Sequence, residues 1–313
     1  MLRSVWDQLC SVWRDLLGRT PLRSHDEETP IAAGLHIALV FNGGSGGSPA
    51  ARELTEALEA YGAKVATHPF DELEQIDLGR AQRIVVAAGD GGVGPCAELA
   101  ERAGIPLALI PSGTANDFAG FLEVPDDREA AVRLAVDPEA HTRTVDLCRA
   151  GDRPFLNAAA CGMSVAASEN ATPLKETLGA TAYAVGAIQA SVSEEACTYR
   201  VVVDGETVFD GPAWQVIVSG TGAFGAGSRI EPASEDDGQL DVTVLDDGPR
   251  SALPLRAWGL KRGGLTEQDG VLSFRGRTVD VHGAERWNVD GEQVDEESPC
   301  AFTLDGRIDV VAP

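Results

Sequence analysis

IVVAAGDGGVGPCAELAERAGIPLALIPSGTANDF, residues Ile84–Phe118, decides how the rest of the chain is read. Its apolar runs Ile84–Ala88 and Leu107–Ile110 are short and uninterrupted, as strands covered on both faces are. The first run passes directly into Gly89-Asp90-Gly91-Gly92-Val93-Gly94 and the second into Pro111-Ser112-Gly113-Thr114. Between them Pro95–Ala103 reads as a helix ended by Gly104. Two parallel strands with loops at their carboxyl ends form a crevice, the usual ligand position in open α/β sheets.

The same pattern extends outward. Leu35–Phe41 is an apolar strand that ends in Asn42-Gly43-Gly44-Ser45-Gly46-Gly47-Ser48. Pro49 then suits the first position of a helix that Ser48 caps and Gly62 ends. Lys64–Thr67 is a short strand, and helices are expected from Ala115 and over Asp126–Val136. Strands alternating with helices of this length predict βαβ units on a parallel sheet, so residues 35–140 read as an α/β, Rossmann-like domain. The character changes near His141. Thr144–Cys148, Phe155–Ala160, Tyr199–Val203, Gln215–Ser219, Leu240–Leu245, Val271–Phe274, Thr278–His282, Ala301–Leu304 and Ile308–Val311 read as strands. Asp204-Gly205, Asp237-Gly238 and Asp290-Gly291 mark turns, and only Leu174–Val192 and Ala252–Leu260 look helical. Residues 141–313 are therefore expected to be a mainly β domain, a sandwich, with a cleft between the two.

Upstream, Met1–Leu17 places Leu2, Val5, Trp6, Leu9, Val12, Trp13 and Leu16 on one stripe of a helix, and Thr20–Gly34 is a linker. Asp7, Arg14 and Asp15 interrupt that segment, which is neither a signal peptide nor a membrane span. Its tryptophans and arginines suit a helix lying in a membrane interface; the alternative is packing on the main body or on a second copy in a homodimer.

The 313 residues carry 49 acidic and 25 basic side chains, a net charge of −24. Such a surface repels nucleic-acid phosphates, which excludes a general nucleic-acid role. Acidity spread along the whole chain, with Lys64, Lys175 and Lys261 its only lysines, predicts a cytoplasmic protein of a salt-loving microbe, where charge repulsion is screened. The cysteines are scattered, with no CxxC pair, and read as free thiols in a reducing compartment.

Three glycine-rich loops follow strands in the first half. Glycines let backbone N–H groups approach phosphate oxygens, and a helix amino terminus adds favourable potential. The crevice is accordingly read as a nucleotide-phosphate site. It lacks the GxxxxGK[ST] of a Walker loop, and no GxGxxG opens its first loop.

Gly89-Asp90-Gly91 after one apolar strand, then Pro111–Ala119 after the next, resembles the diacylglycerol kinase catalytic domain family, which includes bacterial soluble lipid kinases and sphingosine kinases. Asn42–Gly46 stands where that family has an Asn-Pro-x-Ser-Gly loop. Ile230–Ala233, Asp236–Val242 and Trp287–Glu292 resemble its "P-x-A … D-D-G-x-L-D-V" and "V-D-G-E" segments. The resemblance implies an ATP- and Mg²⁺-dependent kinase acting on a hydroxyl of a membrane lipid of diacylglycerol, dialkylglycerol or sphingoid type. ATP would be held by Asn42, Gly43, Gly44, Ser45, Gly46, Gly89, Asp90, Gly91, Gly92, Val93, Gly94, Gly113, Thr114, Asn116 and Asp117, with Thr67 after the second strand. Asp90 would sit near the phosphates and their magnesium, and Glu292 with Asp290 would activate the acceptor hydroxyl. Asp237 and the carbonyls of Leu240 and Val242 would form a second metal site. The chain departs from the family at Gly43, at Gly92 (usually Thr), and at Gly94-Pro95 (usually Asn-Glu). Those departures keep two alternatives open: an NAD kinase-like enzyme, and a nucleotide-binding regulatory protein with little turnover.

Overall fold

The computed structural model describes residues 34–41, 49–163, 165, 195–225, 228–230, 233–262, 264–295 and 300–313. The Met1–Leu17 helix, the Asn42–Gly46 loop and the Leu174–Val192 helix of the sequence reading lie outside them.

The first half contains β1 (His36–Phe41), α1 (Pro49–Ala60), β2 (Lys64–Pro69), β3 (Arg83–Ala88), α2 (Asp90–Ala103), β4 (Leu107–Pro111), α3 (Asp117–Phe121) and α4 (Arg128–Val136). Its strands are parallel in the order β2-β1-β3-β4. Side chains alternate between two apolar layers. Ile84 and Val86 pack with Val93, Ala97 and Ala100 of α2, while Val85 and Ala87 pack with Leu54 and Leu58 of α1 and Val132 of α4. Helices on both faces explain why β3 is buried along its whole length. Arg83, 6% exposed at its start, donates Nη1 to the carbonyls of Ala135 and Asp137 (2.7 and 2.9 Å) and so ties the end of α4 to the sheet.

The second half contains β5 (His141–Ala150), β6 (Arg153–Phe155), β7 (Ala158–Gly162), β8 (Cys197–Val203), β9 (Glu206–Ser219), β10 (Leu240–Asp246), α5 (Leu253–Arg262), β11 (Val271–Gly276), β12 (Thr278–His282), β13 (Arg286–Val289), β14 (Glu292–Asp295) and β15 (Cys300–Ala312). Long β9 serves two layers. Its first part pairs with β8, and its second part lies between β7 and β10. Trp287, Phe155 and Phe302 fill the space between the layers, with edge contacts of 4.9 and 6.2 Å between ring centroids. The architecture is an α/β domain with parallel strands followed by a mainly β domain.

The halves share a strand. β15 pairs antiparallel with β12 at its start and with β5 along its length, then runs parallel to β4 at Val310↔Leu107. Ile308 and Val310 belong to the same core as Val86 and Ala97. The separate runs Ala301–Leu304 and Ile308–Val311 are thus one strand with an irregularity between Leu304 and Gly306, not two.

Two other local readings need correction. Phe155–Ala160 is not one strand: β6 ends at Phe155 and β7 begins at Ala158, and the Leu156-Asn157 step between them turns its N–H groups onto a buried carboxylate. Gly89–Gly94 is not a loop either, because α2 begins at Asp90 and carries Pro95 inside it. Pro95 is sixth in the helix, beyond its free N–H groups, so it leaves the Gly91 carbonyl without its i+4 donor. The glycines answer to crowding: a Cβ on Gly94 would lie 2.5 Å from the Pro154 carbonyl oxygen.

Candidate active site

Two tight turns bring the glycine segments after β3 and β4 together. Gly89 is extended and caps α2 with no side chain, and a Cβ on Gly113 would lie 2.6 Å from its Cα. The second turn is fixed by Asn116, which holds φ +51°: its Oδ1 accepts from the Gly113 N–H at 2.8 Å and its Nδ2 donates to the Gly113 carbonyl at 3.1 Å. Gly113 and Thr114 are exposed beside it. Asp90, in the first turn of α2, accepts from the Phe118 N–H at 2.9 Å and so links α2 to α3. Asp117 opens the five-residue α3, leaving its amino end and that of the 14-residue α2 at one crevice.

From the other half, β13 and β14 form a two-residue hairpin with Val289 opposite Glu292. Asp290 and Gly291 both take positive φ (46° and 85°), the conformation a right-twisted hairpin requires. This turn is more than a connection, because the Asp290 side chain is buried. Its Oδ2 accepts from the Leu156 N–H at 2.9 Å, and its Oδ1 accepts from the Asn157 and Ala158 N–H groups at 3.0 and 3.1 Å. Burial pushes the Asp290 carboxyl up to about 7, and the neighbouring Asp90 carboxylate adds to that. The N–H bonds from Leu156, Ala158 and Asn157 pull the other way by favouring the charged form.

Glu292 lies over α2 at Gly91, where a Cβ would meet its Oε1 at 2.1 Å. Its Oε2 is paired with the Arg153 guanidinium of β6. Asp90, Asp290 and Glu292 thus converge at the amino end of α2 from both halves of the chain. Beside them a cleft of about 820 Å³ runs between α2 and the turn after β2 on one side and β6 and β14 on the other, lined by Leu73, Pro95, Glu98, Arg102, Arg153 and Val294.

Of the other expected residues, Val93 lines the crevice beside Gly89, Asp90 and Asn116, and the rest are buried or lie apart. Val93 packs in the core, Gly92 and Gly94 are buried, and Thr67 bonds its hydroxyl to that of Thr55 on α1 at 2.9 Å, with β1 between it and β3. Asp237 is held by Arg275 and by the Gln239 N–H. Leu240 and Val242 are buried in β10, and between them Asp241, pushed up to about 6 by burial against Arg275, binds the same guanidinium at 2.7 Å. Among the described residues no group of three or more His, Cys, Asp or Glu side chains gathers as a metal cage.

Sequence reasoning missed Asn157 and Arg153. Asn157, 4% exposed, turns its Nδ2 towards Asp90 Oδ1 (3.4 Å) and accepts from the Thr221 hydroxyl at 3.1 Å, bridging the two acids. One polar residue inside the apolar run Phe155–Cys161 was the available signal, since a buried amide needs partners.

An α/β half and a β half bring carboxylates together at a helix amino terminus, and the comparisons give the class: a phosphotransferase that takes an alcohol as acceptor. Residues 36–150 match the diacylglycerol kinase catalytic domain, and residues 157–311 match the YegS C-terminal NAD kinase beta sandwich-like domain. Residues 36–150 thus carry the catalytic domain of the diacylglycerol kinase family. It is 27% identical over 292 residues to a diacylglycerol kinase of Staphylococcus aureus, covering 88% of this chain and 91% of that one. Among solved structures it is similar to a diacylglycerol kinase from Bacillus anthracis (TM-score 0.70, 22% identity, 91% of this chain and 99% of that one). It is also similar to an NAD kinase from Archaeoglobus fulgidus in complex with ATP (TM-score 0.50, 16% identity, 88% and 93% covered). At these identities the two structures speak to the fold alone.

Proposed function

We propose that the chain is an ATP-dependent lipid kinase in which Glu292 takes the proton of the acceptor hydroxyl while Asp90 and the amino end of α2 face the phosphates. The observation that carries this is the convergence of Asp90, Asp290 and Glu292 on one crevice from two halves of the chain. In the transfer the acceptor oxygen forms its bond to the γ-phosphorus, the bond from that phosphorus to the β–γ bridging oxygen breaks, ADP leaves, and the hydroxyl proton passes to Glu292. Catalysis of this kind is mostly positioning and charge stabilisation. Asp290, buried on three N–H groups, sets the hairpin that carries Glu292, and Asn157 ties it to Asp90.

Mg²⁺ fits this donor set. Magnesium is commonly held by one or two carboxylates with phosphate oxygens completing the shell, and the crevice offers hard oxygen donors without a full cage. Asp90 would hold it, and its chemistry there would be neutralising charge on the phosphates. Asp237 already carries the Arg275 guanidinium, so no step is assigned to it.

The acidic surface suits work at high ionic strength, and the Met1–Leu17 segment suits contact with the membrane that holds the substrate. Among the described residues no helix is long and apolar enough to cross a membrane. The test is transfer from radiolabelled ATP, with Mg²⁺ and high salt, to a total lipid extract, with the labelled product identified. A labelled phospholipid is the expected result. Label on NAD would assign the NAD kinase activity instead, and ATP binding with no transfer would leave a regulatory protein.

A further inference from the structure

The run Pro249–Thr266 carries Arg250, Arg256, Lys261 and Arg262 and no acidic residue, in a chain of 49 acidic and 25 basic side chains. Most of it is α5. One side of this helix is buried: Leu253 and Arg256 are 3% exposed, and Arg256 donates to the Asp246 carboxylate at 2.7 Å. The opposite side is open and apolar. Leu255 and Trp258 are 62% and 58% exposed and, with Leu272 at 39%, are the exposed large hydrophobics among the described residues. Leu255, Trp258 and Arg262 follow the i, i+3, i+7 spacing of one helical stripe. The Arg262 guanidinium lies 4.4 Å from the centre of the Trp258 ring. Arg250, just before α5, stacks at 5.1 Å over Trp214.

We propose that this face of α5 docks on the surface of an anionic lipid bilayer. Its chemistry selects that occupant. Tryptophan favours the level of the headgroups, leucine inserts below it, and arginine extends its charge to lipid phosphates. Arg256 is spent on Asp246, and Asp247, Glu267 and Asp269 flank the run, so the charge that complements an anionic membrane is that of exposed Arg250 and Arg262 at direct contact with lipid phosphates. A second copy would bring two chains of −24 together on a small patch. The position suits the activity: Leu253 packs in the same core as Ala158, whose N–H holds Asp290, so docking here sets the bilayer on the layer that carries the candidate acceptor site. The purpose, though not the binding, rests on the lipid-kinase reading.

The experiment uses the full chain with vesicles of phosphatidylglycerol or phosphatidylcholine whose acyl chains are brominated. Trp258 emission, taken as the difference between wild type and Trp258→Phe, should be quenched on phosphatidylglycerol vesicles. Leu255→Ser with Trp258→Ser should lower partitioning about tenfold or more, and Arg262→Glu about fivefold or more on phosphatidylglycerol alone. Melting temperatures should hold, because these side chains are exposed. Sedimentation with vesicles but without quenching of Trp258, no vesicle binding, or dimers that Leu255→Ser and Trp258→Ser abolish would each overturn the proposal. Phosphotransfer to lipid in detergent micelles should survive these substitutions. Its absence in wild type would count against the kinase reading and leave the vesicle result standing.

Discussion

Replacing Gly91 with alanine should make the protein slightly more stable and far less active. Gly91 sits in the first turn of α2 and is not among the residues with positive φ, so alanine fits the backbone. Exchanging a helical glycine for alanine favours the helix by about 1 kcal/mol. The new methyl would lie 2.1, 2.4 and 2.5 Å from Oε1, Cδ and Cγ of Glu292, where ordinary contact begins near 3.4 Å. Glu292 must therefore move by more than 1 Å, the kind of misplacement that costs about 10²-fold in rate. Moving it breaks the pair with Arg153, whose side chains are 29% and 51% exposed; such pairs contribute about 0–1 kcal/mol. The net stability change is then about zero to +1 kcal/mol. Steady-state kinetics should show kcat down about 100-fold with KM for ATP little changed, and thermal melts should show no loss of Tm. Wild-type turnover in Gly91→Ala would refute the placement of Glu292 as the proton acceptor. Gly94→Ala is the contrasting case: its neighbour is the Pro154 carbonyl at 2.5 Å, backbone that gives way poorly, so a loss of about 1–3 kcal/mol is expected.

Glu292→Gln should abolish transfer in the labelled-ATP assay while equilibrium dialysis shows ATP binding nearly intact; turnover at the wild-type rate would remove the assignment. Asp290→Asn should cost about 1–3 kcal/mol in denaturant melts, because an amide brings an NH₂ against one of the N–H donors. Its pH dependence has a definite sign. Native Asp290 keeps its proton to about 7 where the ordinary value is 3.8, so between those pH values the folded state binds the extra proton and stability falls as pH rises. The difference in ΔG between wild type and Asp290→Asn should therefore shift against the wild type from pH 4 to pH 7, and a flat difference would contradict the burial. Asn157→Ala should lower stability by about 1–2 kcal/mol and raise KM for ATP, since it frees Asp90 on one side and strands the Thr221 hydroxyl on the other; unchanged KM would separate Asn157 from the phosphate site.

The sequence made the main division legible for a simple reason. Buried parallel strands such as Ile84–Ala88 read as unbroken apolar runs, and glycines follow where the chain turns at the sheet's edge. Asp290-Gly291 was legible as a hairpin turn, and the turn holds, with its aspartate pointing inward onto the Leu156 N–H. What stayed hidden depended on residues distant in sequence. The glycines of Gly89–Gly94 look like a loop until Pro154 and Glu292 are seen pressing on them. Phe155–Ala160 looks like one strand until Asp290 is seen drawing in its middle N–H groups. Arg153 carried no local signal, since its partner lies 139 positions away.

The shared strand has a consequence for synthesis. The sheet of the nucleotide-binding half is complete on the β4 side only when β15 arrives, and β15 is made last of all the strands. Until then Leu107–Pro111, an apolar strand, stands at an open edge of the kind that invites pairing with other chains. Ile308, Val310 and Val311, each no more than 3% exposed, are likewise missing from its core. A nascent chain that has already formed the helices of the first half must still hold that edge apart from its neighbours until nearly 200 further residues have left the ribosome, a delay set by sequence order alone.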